Sequence, residues 1–169
     1  MFNVKQIIFI LGIFLSILTG FMLVPMAFAL FYGEETIGDF MMSGLFTGFI
    51  AILCIQNGRN HHFSLNIRDM FMLTSITWFV VSLFAALPFT LYHGINYTDA
   101  FFETMSGITT TGSTVLSGLD SMDHSILVWR SLLQWLGGIG FIVMAVAILP
   151  FFFVFLMRLF RTELSDCSV

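Results

Sequence analysis

Residues 98–116 read TDAFFETMSGITTTGSTVL, and their pattern is the most informative one in the chain about its fold. Thr98 and Asp99 are residue types that favour the N-cap of a helix, and residues 100–108 form a short apolar helical pattern. A helix of about 11 residues is only about 16 Å long, whereas the hydrocarbon core of a bilayer is about 30 Å thick. The stretch therefore predicts a helix that enters a membrane without crossing it, followed by a non-helical run of threonine and glycine.

The composition around this stretch is that of an integral membrane protein. The chain has 169 residues, of which 58% are hydrophobic and only 9% are charged, whereas a soluble domain carries about 25% charged residues. The 6 lysines and arginines are outnumbered by 10 aspartates and glutamates, so the chain lacks the basic surface that nucleic-acid binding requires. A water-soluble globule and a nucleic-acid partner are therefore excluded.

Apolar runs define the candidate membrane-spanning helices, each of which needs roughly 20 residues. The runs are residues 7–31, 40–55, 71–91 and 126–160. The first could instead be a signal peptide cleaved near Ala27, but its apolar region of about 25 residues exceeds the 7–15 residues typical of such peptides. We therefore expect an all-α integral membrane protein with four transmembrane helices.

The basic residues predict how these helices are oriented. If the four helices alternate, all basic residues except Arg130 fall on one side, namely Lys5, Arg59, Arg68, Arg158 and Arg161. The positive-inside rule assigns that side to the cytoplasm. Both termini and the loop 57–69 are therefore expected inside, and the segments 32–39 and 92–125 outside.

The outer segment 96–124 is too polar to span a membrane, and its short helix makes it a candidate re-entrant pore loop. Non-helical backbone survives at membrane depth only when it is buried in protein or lines a water-filled cavity. A helix entering from outside points its partially negative C-terminal end at the membrane centre, where the carbonyls of 109–112 could replace the hydration shell of a cation. Gly112 would permit the unusual backbone dihedrals that align these carbonyls. From the pattern alone, an extracellular linker between two helices is equally compatible.

The same residues resemble a known family. The segments that carry the resemblance are FFETMSGITTTGSTVL at 101–116, WRSLLQWLGGIG at 129–140 and AVAILP at 145–150. Together they resemble the first pore repeat of the TrkH family, the membrane subunits of bacterial Trk potassium uptake systems in the Trk/Ktr/HKT superfamily. The resemblance runs from the N-terminus to about Asp166. It implies a multi-pass protein of the bacterial inner (plasma) membrane that transports potassium and has both termini in the cytoplasm.

The resemblance also implies an architecture of a potassium-channel-like fold. Residues 1–58 would carry two N-terminal transmembrane helices (4–31 and 36–57), residues 59–68 a cytoplasmic loop, and residues 69–158 the first pore repeat. Within this repeat, the implied parts are the outer helix 69–92, the pore helix 98–108, the filter 109–114 and the inner helix 126–158. Residues 159–169 would form a cytoplasmic tail.

The resemblance assigns potassium to backbone carbonyls of the filter. The implied ligands belong to Thr110, Thr111 and Gly112, and Gly112 corresponds to the glycine of the family's filter. Ser113 is expected to complete the outer end of the filter, with Thr109 as a further supporting residue. No cofactor is implied, and potassium is the transported ion.

Glu103 and Arg130 are charged residues near the pore helix that need an explanation. An acidic residue within a membrane suggests a functional site, which here would attract cations. For Glu103 we favour a plainer interpretation, a buried carboxyl group hydrogen-bonded to nearby loop amides. Arg130 is expected to reach the lipid headgroups or to pair with Asp120 or Asp123.

Three glycines lie close together in the last apolar run, at Gly137, Gly138 and Gly140. They are not a phosphate-binding loop, because no strand precedes them. Small residues let membrane helices approach one another. We therefore expect these glycines to allow close packing against the pore helix.

Two functions remain open at this point. Members of the family carry four pore repeats and this chain carries the first, so we expect a truncated member. The leading function is potassium transport as the N-terminal part of a Trk-type uptake protein, and the alternative is a truncated, non-conducting membrane fragment that at most binds subunits or lipids. The expected partners are the lipid bilayer, potassium, the missing repeats and a cytoplasmic nucleotide-binding regulatory subunit. An enzyme is not expected, because the sequence holds no zinc motif, paired intramembrane aspartates or recognisable nucleophile.

Overall fold

The computed structural model describes residues 4–58, 67–142 and 146, and the regular elements within these ranges are helices. Helix α1 spans Val4–Tyr32 and α2 spans Ile37–Gly58. Helix α3 spans Ile67–Ala85, and the short α4, Leu87–Leu91, leads into a 3-10 turn at Tyr92–Gly94. Helix α5 spans Tyr97–Ile108, a second 3-10 turn covers Leu119–Ser121, and α6 spans His124–Ile142.

Four helical stretches are long and apolar enough to cross a membrane. They are Val4–Tyr32, Ile37–Gly58, Asp69–Gly94 and His124–Ile142. Because the described residues contain no strand, the predicted class, an all-α membrane protein with four spans, is confirmed. The predicted loop 59–68 lies outside the described residues up to position 66, as do the tail 159–169 and, except for residue 146, the inner helix beyond 142.

Helices α1 and α2 form an antiparallel pair whose backbones come into direct contact. A Cβ atom on Gly58 would lie 2.7 Å from the carbonyl oxygen of Lys5, and one on Gly12 would lie 2.8 Å from Cγ1 of Ile55. Small residues permit this approach between membrane helices. The turn between the two helices, residues 33–36, lies at the opposite end of the pair, where it meets the start of α6.

The third span is broken after Ala85. Pro88 has no N–H and its ring clashes with the preceding turn, so a single straight helix cannot continue through it; α4 instead starts with this proline in its first turn. Beyond α4, His93 and Gly94 have φ values of 46° and 68°. These left-handed residues end the helix and turn the chain toward α5.

Helix α5 is a half-length helix that lies between the third span and α6. Its 12 residues are about 18 Å long, too short to cross a bilayer. The hydroxyl of Thr104 donates to the carbonyl of Ser82 on α3 at 3.0 Å. The indole N–H of Trp129 on α6 donates to the carbonyl of Ala85 at 3.0 Å. The buried core includes Phe89, Ala100, Ile108, Ile126, Trp129 and Leu133.

Candidate functional site

The start of α5 differs from the sequence prediction. Asn96 occupies the N-cap position without a side-chain capping bond, and its carbonyl accepts the N–H of Ala100 at 3.0 Å. Thr98 and Asp99 therefore lie inside the first turn, and their prediction as N-cap residues is wrong. The physical reason is that the chain already reverses at Gly94, three residues before the helix begins at Tyr97. Asp99 still favours the helix, because its negative charge lies near the positive end of the helix dipole.

Helix α5 ends in a turn made by three threonines. The N–H groups of Thr109 and Thr110 donate to carbonyls of α5, to Met105 and Gly107 respectively, each at 2.9 Å. Thr110 has a φ of 58°, a left-handed conformation that is a genuine outlier for a β-branched residue. Such backbone costs on the order of 1–3 kcal/mol and persists only where the surroundings enforce it. Sequence reasoning missed this strain, because nothing in a run of identical residues marks one of them as left-handed.

The backbone then runs back along α5. Both Thr111 and Gly112 direct their N–H groups at the carbonyl of Ser106, at 3.0 and 3.5 Å. One residue further, the carbonyl of Ser113 accepts the Ser106 hydroxyl at 2.6 Å. Gly112 has a φ of 76°, so the predicted requirement for an unusual dihedral at this glycine is confirmed.

The side of the loop that does not face α5 is exposed. Residues 109–115 are all exposed. Within the part of the chain that the structure describes, no hydrogen bond is accepted by the carbonyls of Thr110, Thr111 or Gly112. A backbone whose amides are satisfied and whose carbonyls are free can offer several oxygens to a cation, which is the chemistry of carbonyl-lined ion filters.

Glu103 supports the loop from one turn deeper in α5, and its side chain is only 2% exposed. One carboxylate oxygen accepts the hydroxyl of Thr114 at 2.9 Å and the N–H of Val115 at 3.2 Å. The other accepts Nε–H of Arg130 at 2.5 Å. The favoured interpretation of Glu103, a buried carboxyl bonded to the loop, is therefore confirmed.

Arg130 is placed differently from its prediction. Its side chain is 19% exposed and pairs with Glu103, not with Asp120 or Asp123. The reason is that Arg130 lies on the second turn of α6, which packs beside α5, so a buried acid is closer than the exposed loop. Sequence reasoning could have found this pair, because a buried carboxylate in an apolar helix needs a cationic partner.

The glycines of α6 leave space for the turn at the end of α5. A Cβ atom on Gly137 would overlap the carbonyl oxygen of Ile108, the last residue of α5. Gly138 has only Thr110 near it, with 4.0 Å from its Cβ position to Cγ2, while Gly140 faces Trp78 of α3 at 3.6 Å. The predicted close packing against the pore helix is thus confirmed at Gly137, whereas Gly140 packs against the outer span instead.

A second cluster fixes the start of α6. The carboxylate of Glu34, in the turn after α1, accepts backbone N–H groups of His124 at 2.7 Å and Ser125 at 3.1 Å. The Ser125 hydroxyl also lies 2.7 Å from the hydroxyl of Thr36. Burial alone would raise the pKa of Glu34, but the hydrogen bonds from Ser125 and His124 outweigh it and lower the pKa below its ordinary value. Sequence reasoning missed this contact, because 90 residues separate Glu34 from His124.

Comparison with known proteins gives consistent matches. Residues 39–165 match the family described as "TrkH: Cation transport protein". The chain is 39% identical over 162 residues to the Trk system potassium uptake protein TrkH of Vibrio parahaemolyticus. This match covers 95% of this chain and 33% of that protein. To TrkH of Escherichia coli it is 40% identical over 157 residues, covering 92% of this chain and 32% of that protein.

A solved structure extends the similarity to three dimensions. The crystal structure of the potassium transporter TrkH from Vibrio parahaemolyticus superposes with a TM-score of 0.82 at 40% identity. The match covers 86% of this chain and 32% of that one. This chain therefore spans about a third of the length of the curated relatives it matches.

Proposed function

The chain belongs to the TrkH family of cation transport proteins, and we propose that residues 98–116 form a potassium-selective pore loop of a Trk-type potassium uptake protein. In this proposal α5 is the pore helix and residues 109–114 are the filter. The main support for this proposal is that the loop is hydrogen-bonded to α5 on one side only. The N–H groups of residues 109–112 donate to carbonyls of α5, while the carbonyls of Thr110, Thr111 and Gly112 have no partner among the described residues.

Potassium is the cargo, and the proposed mechanism involves no covalent step. The ion exchanges its water shell for the carbonyl oxygens of Thr110, Thr111 and Gly112. The C-terminal end of α5 adds the partial negative charge of its last carbonyls. Selectivity then depends on holding these oxygens at a fixed spacing, which requires a backbone that cannot collapse onto a smaller ion.

Thr109 and Ser113 support the two ends of the proposed filter. The hydroxyl of Thr109 donates to the carbonyl of Met105 at 2.8 Å and lies 2.9 Å from the hydroxyl of Thr111. Ser113 is held by the hydroxyl of Ser106. Because both ends are bonded, the strained backbone between them is kept in place.

The proposal places the protein in the bacterial inner membrane, with both termini and the segment between α2 and α3 in the cytoplasm. The distribution of basic residues supports this orientation. The turn at 33–36 and the segment 92–125, which contains the pore loop, then face outside. Potassium would reach the filter from that side.

The pore requires partners around the same axis. A carbonyl-lined filter must surround its ion, and the described residues contain one pore loop, with residues 109–115 exposed. We therefore propose that this loop acts together with further pore loops and that a cytoplasmic nucleotide-binding subunit regulates the assembly. The names of the relatives, Trk system potassium uptake proteins, support a multi-component system.

One observation favours a second function. The exposed loop has no equivalent carbonyls opposite it in the part of the chain described, so the 169-residue chain by itself would be a non-conducting membrane segment that binds subunits or lipids. The two functions differ in one measurable property, selective uptake of potassium.

Rubidium uptake tests the proposed function. Two strains of the cell that produces the protein are compared after its other potassium uptake systems have been removed. One strain keeps the gene and the other lacks it. We expect the intact gene to support rubidium uptake that potassium inhibits and sodium does not. Equal uptake with and without the gene would contradict the transport proposal and favour the second function.

A further inference from the structure

Glu103 is buried, charged and bonded through both of its oxygens. The residue is 3% exposed and lies in the middle of α5, within the apolar part of the pore loop. Oε2 accepts from Thr114 and Val115, and Oε1 accepts from Arg130. Each of these bonds therefore joins α5 either to α6 or to Thr114 and Val115, at the outer end of the proposed filter.

A buried ion pair is poorly explained as a source of stability. The cost of removing two charges from water can exceed their attraction, and apolar residues of similar size often serve stability as well or better. Removing one partner, in contrast, leaves an uncompensated buried charge. A role in fixing one conformation accounts for the pair better than a role in holding helices together.

The bonded groups show which conformation is fixed. Ser106 and Glu103 lie one helical turn apart on the same face of α5. Ser106 bonds Ser113 at 2.6 Å, and Glu103 bonds the next two residues of the loop, Thr114 and Val115. The chain after Gly112 is therefore bonded to α5 at three consecutive residues, through the backbone of Ser113 and Val115 and the side chain of Thr114.

The upstream end is fastened as well. The N–H groups of Thr110 and Thr111 donate to the last carbonyls of α5. The stretch held in this way contains the left-handed residues Thr110 and Gly112, with φ values of 58° and 76°. A strained backbone of this kind relaxes unless both of its ends are held.

We propose that Glu103, held in place by Arg130, is the positioning residue that fixes the outer end of the filter and thereby sets the selectivity for potassium over sodium. This inference rests on the proposed function and adds to it a residue that does not touch the ion. The carboxylate acts through Thr114 and Val115 on the spacing of the carbonyls at 110–112.

A purely structural ion pair makes a different prediction from a positioning residue. Exchanging the two charges, Glu103→Arg with Arg130→Glu, preserves an ion pair between α5 and α6. It does not preserve the loop contacts, because the arginine side chain has donors and no acceptor for the N–H of Val115. A purely structural role therefore predicts that the exchange restores selectivity, whereas a positioning role predicts that it does not.

The experiment introduces Glu103→Gln, the charge exchange and Arg130→Lys at the native locus, in a cell without other potassium uptake systems. We expect the ratio of rubidium to sodium uptake to fall about tenfold in Glu103→Gln and to stay low in the exchange, with unchanged amounts of protein in the membrane. Arg130→Lys keeps the positive charge, and its ratio should stay within about threefold of the wild type. A ratio restored by the exchange, or unchanged in Glu103→Gln, would overturn the proposal.

Two further measurements keep the test decisive if Glu103→Gln does not fold. Thr114→Val removes one loop contact and leaves the ion pair intact, and it should lower the ratio about threefold; an unchanged ratio would overturn the proposal. Amide hydrogen exchange of residues 109–116 in the purified chain in lipid should increase in both the Thr114→Val variant and the charge exchange. Unchanged protection in both would also overturn it.

Failure of the proposed function can be distinguished from failure of the inference about Glu103. If the wild-type protein shows no preference for rubidium over sodium, the transport proposal fails. The amide exchange of the loop still decides whether Glu103 positions it, because that measurement needs no transport.

Discussion

The carboxylate of Glu34 accepts a 2.7 Å hydrogen bond from the backbone N–H of His124, the first residue of α6. The same carboxylate bonds the N–H of Ser125 and lies 3.0 Å from Nδ1 of His124. The first N–H groups of a helix have no partner within the helix. Glu34 therefore caps α6 from a distant turn, and it sets the position of the helix against which the pore loop packs.

Glu34→Gln should destabilise the protein in a pH-dependent way. Because hydrogen bonding lowers the pKa of Glu34, the contribution of the carboxylate is complete above its ordinary pKa of 4.5 and is lost as the pH falls through the lower folded value. We expect the variant to melt about 2–4 °C below the wild type at pH 7, for a cap worth about 1 kcal/mol, and less far below it at pH 3.5. Thermal unfolding in detergent measures both differences.

Glu35→Gln is the matched control for this cap. Glu35 is the neighbouring acid and is exposed, so its replacement should change the melting temperature by less than about 1 °C at either pH. An equal loss in the two variants, or a difference independent of pH, would contradict the assignment of Glu34 as the cap.

Gly137→Ala should disrupt the contact between α5 and α6. The added methyl group would overlap the carbonyl oxygen of Ile108 and lie 2.9 Å from its Cα atom. Overpacking of this kind typically costs about 1–3 kcal/mol. The measurement is thermal stability together with rubidium uptake, and both should decrease.

Gly138→Ala provides the comparison at the adjacent position. The nearest atom to its Cβ position, Cγ2 of Thr110, is 4.0 Å away, which leaves room for a methyl group. We expect wild-type stability. Similar behaviour of the two alanine variants would show that close contact at Gly137 does not limit the packing.

The sequence predicted those parts of the fold that depend on local patterns. Helix lengths and apolar runs gave the four spans, and the glycine at 112 indicated an unusual dihedral that the backbone has, with φ of 76°. The left-handed Thr110 was not predictable, because its conformation is imposed by bonds to α5 and not by its residue type. The partner of Arg130 and the cap by Glu34 were missed for a similar reason: both contacts join residues far apart in the chain, and their geometry follows from helix packing.

The proposed orientation predicts which loops a membrane-impermeant thiol reagent can reach. In a variant lacking native cysteines, Ser117→Cys lies in the exposed outer segment and should be labelled in intact cells. Asn60→Cys lies in the loop assigned to the cytoplasm and should be labelled only after the cells are permeabilised. Labelling of Asn60→Cys in intact cells would reverse the topology.

Expressed without the further pore loops proposed above, the 169-residue chain should not restore growth at low potassium to a cell that lacks potassium uptake systems. Its single described pore loop supplies one side of a filter, and free carbonyls in lipid cost several kcal/mol each without partners. A symmetric tetramer could rebuild a ring from identical loops, but α1 and α2 would then have to fit around it four times. Growth rescued by this chain, and abolished by Gly112→Ser, would show that such a ring forms.

The ion selectivity of a Gly112 variant shows whether residues 109–114 form the potassium filter. Gly112→Ser and Gly94→Ser are introduced separately at the native locus, because both glycines have positive φ, 76° and 68°, and open space at the Cβ position. The two variants therefore carry similar backbone strain, but only Gly112 lies in the proposed filter. We expect the ratio of rubidium to sodium uptake to fall about tenfold in Gly112→Ser and to be unchanged in Gly94→Ser. Equal ratios in the wild type and Gly112→Ser would contradict the assignment of residues 109–114 as a potassium filter.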